Sequence, residues 1–335
     1  MSGRDLLVLG ADQVAALLRD READVMEAVT RAYAAHARGE TVVPHSSFLR
    51  LPDGRDRFIA LPAYLGGAST NVGLKWIASF PGNLARGLER ASGLVVLSCG
   101  TTGRPRAVLE ASVVSAKRTA ASAALAARLL HGSASAVVGL LGCGLINFET
   151  LRFLLHVWPA LARVVLCDVD PERAARFAVR CRAAFPGVHP ETVSDPGMLL
   201  SAAPVVSIAT TAMRPHVDAL DPRVVRTVLH LSLRDLAPRV VLAADNVSDD
   251  VDHVCRAGTS LELAADEVGR RDFIARTVPR ILIGAEPSGG RHDRVTIFSP
   301  FGLGILDLAV GELVCERAAA EDVGTRLPFA ARVTA

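Results

Sequence analysis

The sequence predicts an α/β protein of two lobes: a doubly wound parallel sheet wrapped by helices, and a smaller α+β lobe built from the N-terminal part and the C-terminal helix. Three observations predict it. From Phe48 to Glu110 apolar residues recur with period two through FIALPAY, NVGLKWIASF, LVVLSC and RAVLE, the pattern of an antiparallel sheet. Farther on, short, continuously apolar, β-branched segments (SAVVGLL, ARVVLCD, APVVSIAT, TVLHLSL) alternate with helical stretches such as FETLRFLLHVW and PERAARFAVRCRAAF, as in a parallel sheet covered on both faces. The first of these segments runs straight into Gly142-Cys143-Gly144 and then a helix. The implied domains are 1–120 with 299–335, and 121–298.

Leu6–Leu9 reads as a short strand, and Asp12 as the cap of a helical stretch whose apolar positions continue through Val25, Met26, Val29 and Tyr33 to a stop at Gly39. In NVGLKWIASF, Val72, Leu74, Trp76, Ala78 and Phe80 share one face. Lys75 therefore projects from the other, beside Gly73, Ile77 and Ser79 and outside the main apolar layer. LVVLSC and RAVLE join across the turn residues 100–105. Ser112–His131 reads as a helix small on nearly every side, suited to a buried connector, and FGLGILDLAVGELVCERAAA as a helix returning to the first lobe. No internal repeat or low-complexity linker interrupts the chain.

With 335 residues, 50% hydrophobic and 21% charged, the chain is long enough for two real cores. Its 37 basic and 35 acidic residues are interspersed, leaving a net charge of +2 and no basic stripe, which argues against a nucleic-acid partner. The N-terminal stretch carries Asp5 and no apolar run, and the alanine-rich 120–130 segment is interrupted by Arg128, so a soluble, cytoplasmic protein with no membrane partner is expected. Cysteines 99, 143, 167, 181, 255 and 315 form no C-x-x-C pair and have no histidine at ligand spacing; they read as buried free thiols, with no metal site. Of the 37 basic residues only Lys75 and Lys117 are lysine, leaving 35 arginines. An amine can be desolvated and pass a proton where a guanidinium cannot, so Lys75 is a candidate for chemistry, the alternative being chance placement. Lys117 precedes Arg118 by one residue, and a helix turns it about 100° away.

Gly142 and Gly144 sit where a backbone must turn tightly and approach a pyrophosphate at a helix N-terminus, although Asn147 occupies the third glycine position of G-x-G-x-x-G. The next apolar segment ends in Asp168, 26 residues after Gly142, near the spacing of the acid that grips the adenosine ribose. A carboxylate there repels a 2′-phosphate, so a Rossmann-type domain binding NAD rather than NADP is expected. Thr210 and Thr211, at the end of VVSIA, stand at the carboxyl edge of the sheet as cofactor contacts or as simple caps.

LPAYLGG, GLKWIASFPGN, AKRTAASAALAARLL, GLLGCGLINFETLRFLL, LSLRDLAP and VTIFSPFGLGILDLA together resemble the ornithine cyclodeaminase and mu-crystallin superfamily, from about residue 40 to 325. WIASFPGN, GCGLIN and SLRDLAP look most like its dehydrogenases that make L-2,3-diaminopropionate for siderophores and peptide antibiotics. The resemblance implies NAD⁺-dependent oxidation of N-(2-amino-2-carboxyethyl)-L-glutamate, releasing diaminopropionate and 2-oxoglutarate, by a homodimer paired through the first-lobe sheets. It places the catalytic lysine at Lys75, an arginine at Arg118, the catalytic aspartate at Asp235, the glycine turn at Gly142 and Gly144 and the ribose acid at Asp168; the other candidate cofactor contacts are Leu145, Ile146, Thr119, Thr210, Thr211, Ser232, and Ser299 and Gly302, which would close over the nicotinamide edge. One element departs: two residues after Pro44, where many members carry a substrate-carboxylate arginine, stands Ser46, which makes ornithine cyclodeamination a weaker reading.

In the expected reaction a hydride leaves the glutamate-side α-carbon and water attacks the resulting iminium. Asp235 would activate that water, its pKa raised by shielding from solvent; it could instead cap the turn before Pro238. Arg118 offers a fork for a carboxylate, or else a surface ion pair; Lys75 would hold another carboxylate or the developing oxygen from a cleft between the lobes. Arg50, Asn83 and Ser46 are candidate substrate contacts, with Asn83 equally a turn residue, while His230 reads as an interior histidine and Asp307 as structural. The competing functions are a cyclodeaminase or cyclic-imine reductase of the same superfamily, and a nucleotide-binding protein without catalysis.

Overall fold

Two units divide the chain, 1–118 with 303–335 and 119–302, so the first crossing falls inside the Ala111–Leu130 helix and the second directly after Gly302. The computed structural model describes residues 5–52, 56–67, 70–291 and 293–329.

The first unit is built on an eight-stranded sheet. Its strands run in the order Thr325–Pro328, Asp5–Leu9, Pro105–Glu110, Ala91–Cys99, Asn71–Ser79, Arg57–Leu65 and Thr41–Val42, with Ser47–Arg50 also on Arg57–Leu65. All pairings are antiparallel except that of Asp5–Leu9 with Pro105–Glu110. The central register aligns Leu61, Lys75 and Val95 in one row. The Gly304–Ala320 helix packs on the Arg57–Leu65, Asn71–Ser79 and Ala91–Cys99 strands, and the Glu22–Ala37 helix packs on it in turn. The helix approaches so closely that a Cβ at Gly73 would lie 2.8 Å from Leu308 Cδ2 and 2.2 Å from the Val96 carbonyl oxygen. Arg106 ties the same helix down by ion-pairing Glu312 while its Nη2 donates to Asn71 Oδ1 at 2.7 Å.

Two expectations change here. Alternation along NVGLKWIASF is as expected, but the covered face is the one that carries Lys75, which is buried, whereas Trp76 is 36% exposed. The helix that decides this lies more than two hundred residues downstream, beyond the reach of local periodicity. The N-terminal helical stretch is two helices, Ala11–Leu17 and Glu22–Ala37, capped at Gly10 rather than Asp12. Asp20 breaks it with a left-handed φ of 54°, a conformation aspartate tolerates better than most residues.

The second unit is an eight-stranded, all-parallel sheet in the order His189–Thr192, Arg163–Cys167, Val137–Leu141, Val205–Ile208, Thr227–His230, Thr296–Ser299, Asp245–Ser248, Ile274–Thr277. All four short apolar segments are central strands. The strand order reverses between Val137–Leu141 and Val205–Ile208, the topological switch point beside which open α/β sheets bind ligands at their carboxyl edge. Aspartate caps its helices twice before proline: Asp170 accepts from Glu172 and Arg173 amides, and Asp195 from those of Gly197 and Met198. All six cysteines are free thiols, but Cys99 and Cys315 are only half-buried, contrary to the expectation for all six. Among the described residues no helix is long and apolar enough to cross a membrane, and no group of three or more His, Cys, Asp or Glu is set to hold a metal ion.

Candidate active site

In the first unit Glu110 accepts from the Ser112 and Val113 amides at 2.7 and 3.1 Å, fixing the start of the Ala111–Leu130 helix. One and two turns on, that helix presents Ser115 and Arg118. Asp307, in the first turn of the Gly304–Ala320 helix where the helix dipole favours an anion, is fully buried. Its Oδ2 lies 2.9 Å from Lys75 Nζ and its Oδ1 3.1 Å from Arg118 Nε. Ser115 Oγ accepts from both cations, at 3.3 Å from each. One buried carboxylate thus answers two buried cations. Burial, followed by the charge of Arg118, lowers the Lys75 ammonium from 10.5 to about 8, with Asp307 opposing the fall. Asp307, read from the sequence as structural, is the hub of this cluster.

The other first-unit candidates stand elsewhere. Arg50 is exposed at the end of its strand and Ser46 is half-buried just before that strand. Asn83 Nδ2 donates to the Glu89 carbonyl at 3.1 Å, closing the loop after Phe80. None of the three is bonded to Lys75, Arg118 or Asp307 among the described residues.

In the second unit Gly142 has φ +93°, and a Cβ there would lie 2.4 Å from the Ala209 carbonyl oxygen, so only glycine fits the turn at the switch point. Gly144 caps the Leu145–Val157 helix with no atom within 4 Å of where its Cβ would stand, leaving the helix start open for a phosphate. Leu145 is exposed and Ile146 half-buried at that start. Asp168 Oδ2 accepts from the Cys143 amide at 2.7 Å and Oδ1 from the Asp170 amide at 2.9 Å. A carboxylate has about four acceptor positions, so two remain for ribose hydroxyls. Asn147 explains the missing third glycine: its Nδ2 donates to the Gly142 carbonyl at 2.7 Å and Ser207 Oγ donates to its Oδ1 at 2.7 Å, a hydrogen-bonded clasp between helix start and strand. The residues present fit a dinucleotide.

Asp235, fully buried, collects donors past the ends of two neighbouring strands. Ser232 Oγ (2.5 Å), His230 Nε2 (3.2 Å) and the Arg234 amide (3.3 Å) reach Oδ2; Thr210 Oγ1 and His216 Nε2 (3.1 Å) reach Oδ1. Burial alone would raise this carboxyl, but the hydrogen bond and charge of His230, with bonds from Ser232 and Thr210, outweigh burial and hold it below the ordinary carboxylate range. This corrects the expectation of a raised pKa: Asp235 is a fixed anion at neutral pH. Thr210 and Ser232, expected at the cofactor, spend their hydroxyls on Asp235, and Ser299 Oγ sits 3.1 Å from His230 Nδ1. His230 is interior, as expected, yet bonded to the candidate acid. Thr211 is exposed, Thr119 half-buried, and the Gly302 amide donates to Asp249 Oδ2 at 2.8 Å. Sequence reasoning missed His216; only its histidine chemistry a few residues after Thr210 could have flagged it.

Residues 6–322 match the family model described as ornithine cyclodeaminase/mu-crystallin family. The chain belongs to that family. Among its relatives, N-((2S)-2-amino-2-carboxyethyl)-L-glutamate dehydrogenase of Staphylococcus aureus is 28% identical over 97% of this chain and 98% of its own. Alanine dehydrogenase of Archaeoglobus fulgidus is 29% identical over 97% and 99% respectively. An archaeal alanine dehydrogenase dimer with bound NAD superposes with a TM-score of 0.87 at 26% identity, covering 97% of this chain and 99% of that one. The Thermococcus litoralis Δ(1)-pyrroline-2-carboxylate reductase, at 23% identity, shares the fold with a TM-score of 0.89 over 96% of this chain and all of that one.

Proposed function

We propose that the protein is an NAD-dependent dehydrogenase acting on a C–N bond, and that it oxidises N-(2-amino-2-carboxyethyl)-L-glutamate with water to L-2,3-diaminopropionate and 2-oxoglutarate, supplying the diamine for a siderophore or peptide antibiotic. The observation that carries the reading is the Lys75–Asp307–Arg118 cluster. Two buried cations share one carboxylate, a positive surplus that a polycarboxylate substrate neutralises and a neutral amine does not. Arg118 has spent Nε on Asp307 and an Nη2 proton on Ser115, which leaves three of its five N–H donors for a substrate carboxylate. Lys75, held near 8, can lend a proton to a developing oxygen at mildly alkaline pH.

Gly142, Gly144, the start of the Leu145–Val157 helix and Asp168 would hold NAD, with Asp168 discriminating against a 2′-phosphate. When bound, NAD⁺ supplies the hydride acceptor. Asp235, ionised and buried, contributes a fixed negative charge that favours positive charge at the substrate nitrogen as the iminium forms. Water then adds to the iminium carbon and the carbinolamine collapses to ketone and amine.

The first-unit sheet leaves Val42, Leu49, Tyr64, Trp76 and Leu94 exposed on the face opposite Lys75, with Phe58 stacked on Trp76 at 5.3 Å. An apolar sheet face this broad on a soluble enzyme calls for a partner, and a second copy of the chain is the proposed one.

Incubation with NAD⁺ and the N-linked conjugate tests the function: NADH absorbance must rise in step with 2-oxoglutarate. A second reading, reduction of a cyclic imino acid, draws on the relatives named as reductases and on the proton that Lys75 can donate. NADH consumption with pyrroline-2-carboxylate and none formed from the conjugate would favour it; ammonia and proline released from ornithine would reject both.

A further inference from the structure

Asp235 is at once the candidate acid of the reaction and a carboxylate sealed from solvent, so a proton taken from water needs another carrier. Its side-chain donors differ in access. His230 is fully buried and ends on Ser299, and Thr210 and Ser232 are hydroxyls with no basic form in water. His216 is 35% exposed, with Nε2 on Asp235 Oδ1 at 3.1 Å.

The backbone fixes that imidazole. The His216 and Val217 amides both donate to the Asp235 carbonyl at 2.8 Å, and Val217 forms a parallel bridge with Leu236. At the other end of the segment the Ala212 amide donates to Thr210 Oγ1 at 3.0 Å, the same hydroxyl that donates to Asp235. The TTAMRPH segment is thereby anchored at its start beyond the Val205–Ile208 strand and at its end to Asp235, beyond the neighbouring Thr227–His230 strand. The charged or titratable groups placed about His216 are Asp235 directly, His230 across that carboxylate, Arg214 two residues before it, and Asp218 two residues after it, which is itself paired with Arg239.

We propose that His216, oriented by Asp235, is the acid–base residue that exchanges protons with solvent in this enzyme. The proposal rests on the dehydrogenase reading above. In the hydrolytic half, one O–H proton of the attacking water passes to the imidazole as the C–O bond forms at the iminium carbon. The imidazolium returns it to the amine nitrogen as the C–N bond breaks. The remaining hydroxyl proton leaves through His216 as the carbonyl forms, so one proton reaches solvent for each NADH. This is the division of labour of an Asp–His pair: the carboxylate fixes tautomer and orientation and stays ionised, and the ring carries the proton.

His216→Ala tests it, because a third of the side chain is open and the vacated space can admit free imidazole. In steady-state assays kcat should fall ~10²–10⁴-fold, while Kd for NADH, read by fluorescence, stays within about threefold of wild type if the residue is no cofactor contact. Added imidazole should restore turnover, and ring-substituted imidazoles should rank by basicity; His216→Gln, which keeps a donor for Asp235 but fills the space, should resist rescue. A His216→Ala enzyme within about threefold of wild-type kcat, or one that imidazoles leave unchanged, overturns the histidine's role. If the wild type oxidises no conjugate but reduces an imino acid, only the substrate is wrong and the same comparison is read in that direction. Wild type idle on both overturns the function and the histidine's role with it.

Discussion

Asp307→Asn keeps the size of the side chain and removes the one negative charge between Lys75 and Arg118. With aspartate in place, the fall of Lys75 from 10.5 to about 8 corresponds to roughly 3 kcal/mol of strain on its charged form. The unfolded chain holds that proton up to 10.5 and the folded chain only to about 8, so the contribution of Lys75 to wild-type stability rises with pH between those values and is flat below them. The substitution deletes both influences that support the ammonium and leaves burial and Arg118, which lower it. Lys75 then sheds its proton in the fold at neutral pH. Breaking a buried pair by removing one partner costs ~3–5 kcal/mol, and a lysine able to neutralise itself puts the loss near the lower figure. By about pH 9.5 Lys75 is neutral in both folded proteins, and the loss shrinks to the Arg118 contact alone. The assay is urea unfolding followed by tryptophan emission. The chain has two tryptophans, one in each unit, so a Trp158→Phe background makes Trp76 report the first unit. A loss below ~1 kcal/mol at pH 7, or one that is the same at pH 9.5, would refute the charge accounting.

Asp235→Asn should lower kcat by ~10²–10⁴-fold and leave NADH affinity intact, measured by steady-state kinetics beside fluorescence titration. Gly142→Ala forces a Cβ to 2.4 Å from the Ala209 carbonyl at a φ of +93°, so a melting scan should show ~1–3 kcal/mol lost and NADH titration at least ~10-fold weaker binding, whereas Gly144→Ala, with open space at its Cβ, should keep wild-type stability. For Asp168→Ser the ratio of kcat/KM for NAD over NADP should fall at least ~10-fold; an unchanged ratio would remove Asp168 from the ribose. Trp76→Glu should halve the mass seen by light scattering if the open sheet face pairs two copies, and an unchanged mass would place the interface elsewhere.

Much of this was legible from residue pattern because it is local. Period-two apolarity marks the strands from Phe58 to Leu109, and continuous β-branched runs mark the buried parallel ones. The Gly142 turn and Asp168 are written in spacing, since a backbone with φ +93° and a carboxylate one strand away are short-range demands. What escaped is set by distant chain. The burial of Lys75 depends on a helix starting at Gly304, and the sign of the Asp235 shift depends on donors at 210, 230 and 232 that a spacing argument does not bring together. The last two strands, Asp245–Ser248 and Ile274–Thr277 at the sheet edge, are polar and short, and only their neighbours make them strands.

The scarcity of lysine acquires a physical meaning once burial is known: both lysines are buried, while exposed positive charge on the described surface is carried by arginine. At Lys75 the choice matters because arginine would keep its charge in the presence of Arg118 and leave two permanent cations against one carboxylate. An amine held near 8 in the empty protein is still mostly charged at neutral pH, so it binds a carboxylate as an ion, yet it can give up its proton at mildly alkaline pH, which a guanidinium cannot. The second unit resolves its own buried charge the opposite way. Asp235 stays ionised because His230, Ser232 and Thr210 outweigh its burial, and of the side chains bonded to it the only imidazole reachable from water is His216. Proton transfer is thus proposed for Lys75 in the first unit and for His216 in the second, while Asp235 keeps its charge.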